Sequence, residues 1–296
     1  MTKLAFPDHE YLTVPELAEL LRLKERKIYD LAASGDVPCS RATGKLLFPA
    51  AEVRAWLNQA KSGGAAMPEI ERPQVLLGSH DPLLDWSIRQ SRSGLASYFD
   101  GSMDGLARFV KGEGIAAGLH LHDSKSGTWN IPAAQQLAAD QNAVLIRFAN
   151  RQRGLVFPDT GPVLSTLSDI EGLRFVPRQP ESGTDLLFRD LAMETGLDLD
   201  RLALTDVARS EDEAVECMRR NEADVTFGLE TVARSYGLRF TPLVEEEFAL
   251  LVDRKAWFSQ GFQVFLQFCQ SESFAQRADS MGGYDISRLG EVLWNA

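Results

Sequence analysis

Residues 59–74 read QAKSGGAAMPEIERPQ, with Gly63-Gly64, Pro68, Pro73 and no apolar period. No helix or strand can carry its pattern through such a stretch, so the chain is expected to fold as two separate units joined here. The charge changes across it. Residues 1–61 hold nine Lys/Arg against eight Asp/Glu, and the remainder holds 22 against 34. The net charge of −11 therefore belongs to the second unit. A uniformly acidic chain would be repelled by nucleic acid, but the first unit escapes that objection. The expected boundaries are a first domain at 1–60, a linker at 61–73 and a second domain at 74–296.

The chain has 296 residues, enough for about two domains. No apolar run approaches a membrane span, and the start MTKLAFPDHEYLT lacks a secretory pattern. A cytoplasmic protein with no membrane partner is expected. Cys39, Cys217 and Cys269 are odd in number and far apart, which suits reduced, packed thiols.

In the first unit, Thr13 and Glu16 form a capping-box pair, with Pro15 where its missing N–H costs nothing. Leu17, Leu20 and Leu21 keep helical spacing. After a break at Leu23-Lys24, a second helix is marked by Ile28, Tyr29, Leu31 and Ala32 and ended by Gly35. VPCSRATGKLLF reads as a hairpin turning near Thr43-Gly44, and PAAEVRAWL returns to helix. Two short helices, a wing and a closing helix make a winged helix-turn-helix plan. Arg22, Lys24, Arg26, Lys27, Arg41 and Lys45 cluster on the second helix and wing, against Glu25, Asp30 and Asp36. On spacing alone they suit phosphate contacts and a solvated face equally. The stretch 11–58, with its Leu-Thr-Val start, Ile-Tyr pair, Phe-Pro exit and closing Trp-Leu, resembles the excisionase type of winged helix-turn-helix domain, related to the MerR type. That resemblance implies that the six bases contact double-stranded DNA.

Beyond the linker, strand-like and helical stretches alternate. VLLGS, LASYFDGS, IAAGLHLHD, AVLIRFANRQRGLVF, LRFVPR, DVTFGLE and FALLVD read as strands, with amphipathic stretches between them. The fold class is α/β, whose ligands sit at the carboxyl ends of strands. The stretch PRQPESGTD, 177–185, poses the main question. Ser182 and Asp185 match a capping box before a helix that stops at Gly196, and Ser210 and Glu213 repeat the pattern. A helix start offers free N–H groups and a positive dipole end to an anion. Gly183 permits close approach, Ser182 and Thr184 add hydroxyls, and Arg178 could supply a fork-shaped cation. The same residues also read as a plain capped helix with Arg178 on the surface. Ser79, His80, Ser102, His120 and Arg151 come from other strand ends, and Glu230 follows TFGL, where it could pair with Arg178. His120 and His122, two apart on one strand face, with His80 and Asp123, have a zinc-like composition. That set defines the rival reading, a metal-dependent hydrolase, although no metal spacing is present. Among catalytic motifs there is no GxSxG, P-loop or dinucleotide glycine fingerprint. No cofactor and no catalytic residue is expected.

On LLGSHDP, GSMDGLARFVKGEGIAAGLHLHD, GTWNIP, FANRQRGLVF, FVPRQPESGTD, EADVTFGLE and GGYD, residues 75–285 resemble the binding-protein-like domain that follows a helix-turn-helix in some bacterial regulators. They are similar to the tungstate- and molybdate-binding proteins of importers. The resemblance implies a two-lobed periplasmic-binding-protein-like domain, with one lobe at about 74–149 and 245–296 and the other at about 150–244. Strands near 149–155 and 240–250 would cross between the lobes. Arg178, Ser182 and Thr184 match the importers' oxyanion-holding element. Ser79 and Ser102 match its first two hydroxyl turns, although Asp81 in the first motif would repel a dianion. The implied protein is a transcription regulator, a homodimer or higher homo-oligomer on paired half-sites. It would sense molybdate or tungstate through Ser79, His80, Ser102, His120, Arg151, Arg178, Ser182, Gly183, Thr184 and Glu230. A small carboxylate such as formate and a molybdenum-pterin cofactor are the rival ligands.

Overall fold

The computed structural model describes residues 10–41, 44–59, 71–180 and 182–296. The expected linker core at 60–70 and the hairpin tip at Ala42–Thr43 lie outside them. The chain divides into two compact units, Met1–Ile70 and Glu71–Ala296.

In the first unit, β1 (Tyr11–Leu12) precedes α1 (Val14–Leu21) and α2 (Glu25–Ser34). Then β2 (Phe48–Pro49) pairs antiparallel with β1 and leads into α3 (Ala50–Gln59). Glu16 accepts from both the backbone N–H and the hydroxyl of Thr13, each at 2.7 Å, which fixes the start of α1. Arg22 ends that helix in the left-handed region, φ 53°, and the Leu23 N–H returns to the Ala18 carbonyl at 2.9 Å. The tight turn brings Leu17, Ile28, Ala32, Phe48 and Val53 into one core. The base of the hairpin is present as a Ser40–Leu47 bridge.

The second unit is built on one mixed sheet. Its first lobe opens with β3 (Val75–Gly78), α4 (Pro82–Ser91), β4 (Ala96–Phe99), α5 (Ser102–Val110) and β5 (Ala116–Leu119). A small hairpin, β6 (His122–Asp123) and β7 (Thr128–Trp129), and α6 (Ile131–Ala138) lead to β8 (Ala143–Phe157). The second lobe holds β9 (Arg174–Val176), α7 (Gly183–Thr195), β10 (Ala203–Leu204), α8 (Glu211–Arg219), β11 (Val225–Leu229) and α9 (Glu230–Ser235). The chain returns along β12 (Arg239–Asp253) and finishes in the first lobe with α10 (Gln260–Cys269), α11 (Glu272–Met281), β13 (Tyr284–Asp285) and β14 (Val292–Asn295).

The strand order is β10-β9-β11-β8-β12-β5-β3-β4. Strands β8 and β12 pair antiparallel from Ala143 opposite Asp253 to Phe157 opposite Arg239. One end of this ribbon carries β5 on β12, and the other carries β11 on β8. The sequence dictates this double use. In AVLIRFANRQRGLVF and RFTPLVEEEFALLVD the apolar runs lie at the ends and the charges in the middle. Phe148, Phe248 and Leu250 enter a core with Leu84, Phe262 and Phe274, while Leu155 and Phe157 enter another with Phe175, Phe188 and Phe227. The polar middles cross between the two cores, with Arg151 4.3 Å from the centre of the Phe248 ring and Arg153 5.7 Å from that of Phe227. Phe175 and Phe188 stack at 4.6 Å between centroids, tying the sheet to α7. Cys269 packs in the first core, where burial pushes its thiol up to about 12. All three cysteines are free.

Candidate functional site

Helix starts converge on one cavity of about 280 Å³ between the lobes of the second unit. The first lobe contributes Ser79, His80, Phe99, Asp100, Gly101 and His120, the crossing strand β8 contributes Arg153, and the second lobe contributes Arg178, Gln179, Ser182, Thr184, Arg209, Ser210, Glu211 and Asp212. Gly101, Ser182 and Ser210 are the residues that cap α5, α7 and α8, so three helices point their amino ends at this space. Each brings first-turn N–H groups that lack an intrahelical acceptor.

Four hydroxyls line this space, and two of them already accept from a helix start. Ser182 Oγ accepts from the Asp185 N–H at 3.1 Å, and Ser210 Oγ from the Glu213 N–H at 3.0 Å. Each keeps its own proton for the cavity. Thr184, 4 % exposed, has a hydroxyl without a partner among the described residues. Ser79, also 4 % exposed, lies 2.8 Å from Ser102 Oγ, which in turn accepts the His120 N–H at 3.1 Å. Ser102 is fully buried behind Ser79 and is outside the lining. The expected capping box at Ser182 is half present, because the Asp185 carboxylate turns to Arg189 at 2.8 Å.

Beneath the cavity runs a buried chain of ion pairs. Asp81 accepts from Arg151 at 2.8 Å, from the Tyr284 hydroxyl at 2.8 Å and from the Leu84 N–H at 2.7 Å. Arg151 continues to Glu246, and Glu246 accepts from Arg153 Nε at 2.9 Å. Arg153 bonds Glu211 at 2.9 Å, and Glu211 also pairs with Arg178 at 2.9 Å. The chain alternates three guanidiniums with three carboxylates, so with all six ionised it carries no net charge. Burial alone would raise the carboxyl pKa of Glu246, but Arg151 and Arg153 outweigh it and hold it well below the usual range. Glu211 is likewise held down, by Arg153 and Arg178 against its burial. Burial pushes the His120 imidazole down, toward its neutral form, despite Glu246 at 3.2 Å. That approach is not aligned as a hydrogen bond, and His120 Nδ1 has no partner among the described residues.

Several residues stand elsewhere than expected. Arg178 lines the cavity, but Nε and Nη2 bond the carbonyls of Ala208 and Arg209 at 3.2 and 3.1 Å, and its charge is engaged by Glu211. It holds the wall in place and is not a free fork. Arg151 is 1 % exposed within the ion chain and outside the lining. Glu230 pairs with Arg234 at 2.6 Å and does not meet Arg178, because it opens α9 beyond the cavity. Gly183 is needed for a different close approach. A Cβ there would fall 2.7 Å from His120 Cε1, so the start of α7 sits directly on that ring. Asp81 is neutralised by Arg151 and faces away from the cavity, which removes its expected repulsion of a dianion.

His120 and His122 do not share a strand face, because β5 ends at Leu119. His120 turns to the ion chain, whereas His122 meets Asp190 at 3.2 Å and Asp123 caps Ser126. Among the described residues no group of three His, Cys, Asp or Glu could hold a metal. Reading residues singly missed Arg153, Glu211, Ser210 and Gln179. The signal for Arg153, and for its partner Glu246, was the reciprocal charge of NRQR and EEE at the centres of the two long strands.

In the first unit all six bases are exposed. Arg26 and Lys27 lie in the first turn of α2, Arg22 and Lys24 in the turn before it, and Arg41 and Lys45 flank the hairpin tip. Arg41 also donates to the Ala32 carbonyl at 3.3 Å, closing the end of α2. Tyr29, 54 % exposed, Arg41 and Lys45 line one groove between α2 and the hairpin.

Residues 86–270 match the family described as PBP superfamily domain. The chain belongs to that family. Residues 11–61 match a helix-turn-helix domain. Protein YvgK of Bacillus subtilis, itself uncharacterized, is 21% identical over 300 residues, covering 95% of this chain and 97% of its own. Among solved structures, a phosphate ABC transporter substrate-binding protein with bound phosphate from Clostridium perfringens shares the fold at a TM-score of 0.54 and 13% identity, over 70% of this chain and 96% of that one. The sulfate-binding protein SubI from Mycobacterium tuberculosis H37Rv does so at 0.51 and 13%, over 71% and 85%. A helix-turn-helix joined to such a domain is the pairing of a ligand-sensing DNA-binding regulator. No helix among the described residues is long and apolar enough to cross a membrane.

Proposed function

We propose that the chain is a transcription regulator whose first domain binds double-stranded DNA at paired half-sites, as a homodimer or higher homo-oligomer, and whose second senses molybdate or tungstate. The observation that carries the ligand reading is the set of donors around the cavity. Ser79, Ser182, Thr184 and Ser210 face one space ringed by three helix starts. A fully ionised tetrahedral oxyanion only accepts hydrogen bonds, and each of these hydroxyls and helix-start N–H groups has a proton to give. The carboxylates in the wall each have a donor already. Glu211 has two arginines, Asp212 has the Tyr236 hydroxyl at 2.9 Å, and Asp100 has Arg209 at 3.5 Å. The proteins that hold phosphate and sulfate on this fold support the reading. The effector acts by binding two lobe arrangements unequally.

Thermal unfolding with molybdate, tungstate, sulfate, phosphate and formate in turn tests this. A ligand at about 100 times its Kd adds roughly 2.7 kcal/mol. At about 2–4 °C per kcal/mol the midpoint should rise by several degrees. A shift with formate alone selects the carboxylate reading, and no shift with any anion rejects an anion seat. For the first domain, replacing Arg26 and Lys27 together with Ala should weaken operator binding. It should also lower the slope of log K against log salt by up to about 2, at roughly 0.9 per phosphate contact. An unchanged slope means these side chains do not meet phosphate.

A further inference from the structure

The cavity does not close at His80 and Asp212. Both residues also line an adjoining groove of about 590 Å³ whose other walls are α4, α9 and α11. A tetrahedral oxyanion displaces only a few waters, at about 30 Å³ each. The inner cavity alone, about 280 Å³, exceeds that, and spaces of roughly 300–1,000 Å³ take organic molecules.

The groove has the chemistry for one. Trp86 is half-buried in its wall, and the Arg277 guanidinium lies 5.5 Å from the centre of its ring. Arg89 and Arg234, on the same walls, are each neutralised, by Asp85 at 2.9 Å and Glu230 at 2.6 Å. Arg277 is exposed and has no acidic partner among the described residues. An aromatic ring with an uncompensated guanidinium beside it offers stacking and cation–π contact to a flat ligand and a counter-charge to an anionic one. The groove adjoins the hydroxyl-lined pocket through His80 and Asp212, and a phosphoryl group would sit in that pocket. Its walls come from both lobes, so an occupant would touch the two bodies whose arrangement it must bias.

We propose that the site takes aromatic phosphate monoesters more tightly than bare oxyanions, with the phosphoryl oxygens among Ser79, Ser182, Thr184 and Ser210 and the ring passing His80 onto Trp86 and Arg277. This rests on the oxyanion reading of the inner cavity.

Calorimetric titration of the full chain with molybdate, orthophosphate, phenyl phosphate and guanosine 5′-monophosphate tests it. The two esters should bind at least tenfold tighter than orthophosphate. Arg277→Ala, at the surface and therefore harmless to folding, should erase that advantage and leave molybdate and orthophosphate unchanged. Thr184→Val should weaken all of them. Esters that bind no tighter than orthophosphate, or an advantage that survives Arg277→Ala, overturn the proposal and leave the inner site intact. Esters that bind through Arg277 while bare oxyanions do not bind, and with no effect of Thr184→Val, retain the groove and overturn the pocket reading. No binding of any probe overturns both.

Discussion

Glu246→Gln is expected to cost the second unit about 3–5 kcal/mol, the range for removing one partner of a buried pair. Glu246 is fully buried and is the acceptor shared by Arg151 and Arg153, both 1 % exposed. The amide cannot balance two guanidiniums. Arg151 keeps Asp81 and Arg153 keeps Glu211, but the chain would then hold three guanidiniums against two carboxylates, one positive charge that water cannot reach, with N–H groups aimed at a neutral or donating group. At about 2–4 °C per kcal/mol, the unfolding midpoint should fall by roughly 6–20 °C, read by thermal or urea unfolding. The loss should extend to ligand affinity, because Arg153 reaches Glu211 at the start of α8, and Glu211 in turn fixes Arg178 in the cavity wall. A cost below about 1 kcal/mol would mean that water enters the ladder and that it does not set the cavity.

The same ladder fixes a pH dependence. The folded-state pKa values of Glu246 and Glu211 are depressed, so their contribution is complete above the unfolded carboxyl value, near 4.5, and is lost as pH falls through the folded values. Wild type should therefore lose stability below about pH 4.5, and Glu246→Gln should lose less over the same range, since one of the two protonations is no longer available.

How much of this was legible in the sequence divides along the chain distance of the interactions. Features set within a few residues could be read directly. Thr13 with Glu16, Ser182 before α7 and Ser210 before α8 stand at helix starts, and the strand at 143–157 is where its apolar residues put it. Ser79, Ser182 and Thr184 reach one cavity because loops after strands gather on one side of such a sheet. Partners remote in sequence were not legible. Arg153 meets Glu211 58 residues away and Glu246 93 residues away. Arg178 looked like a free cation only because nothing nearby showed that Glu211 would face it. The histidine pair failed for a local reason: alternation holds only while the strand lasts, and β5 stops one residue before His120.

Ser79→Ala with Thr184→Val should abolish measurable oxyanion binding while leaving the fold nearly as stable. Thr184 gives its hydroxyl to no described residue, and valine keeps its shape, so the free protein loses little. Ser79 gives up only its contact with Ser102, which keeps the His120 N–H. In the complex each hydroxyl would donate to a charged oxygen, a bond of about 1.5–3 kcal/mol. Two such losses weaken affinity by roughly 10²–10⁴-fold. The two residues come from opposite lobes, so the double variant should also lose any effector-dependent change in operator affinity, while its ligand-free DNA affinity stays at the wild-type value. Calorimetry and operator titration with and without molybdate read the two effects separately. If affinity falls by less than about threefold, the ligand does not sit among these hydroxyls. If binding is lost but the DNA response to molybdate survives, the signal enters the protein at another site.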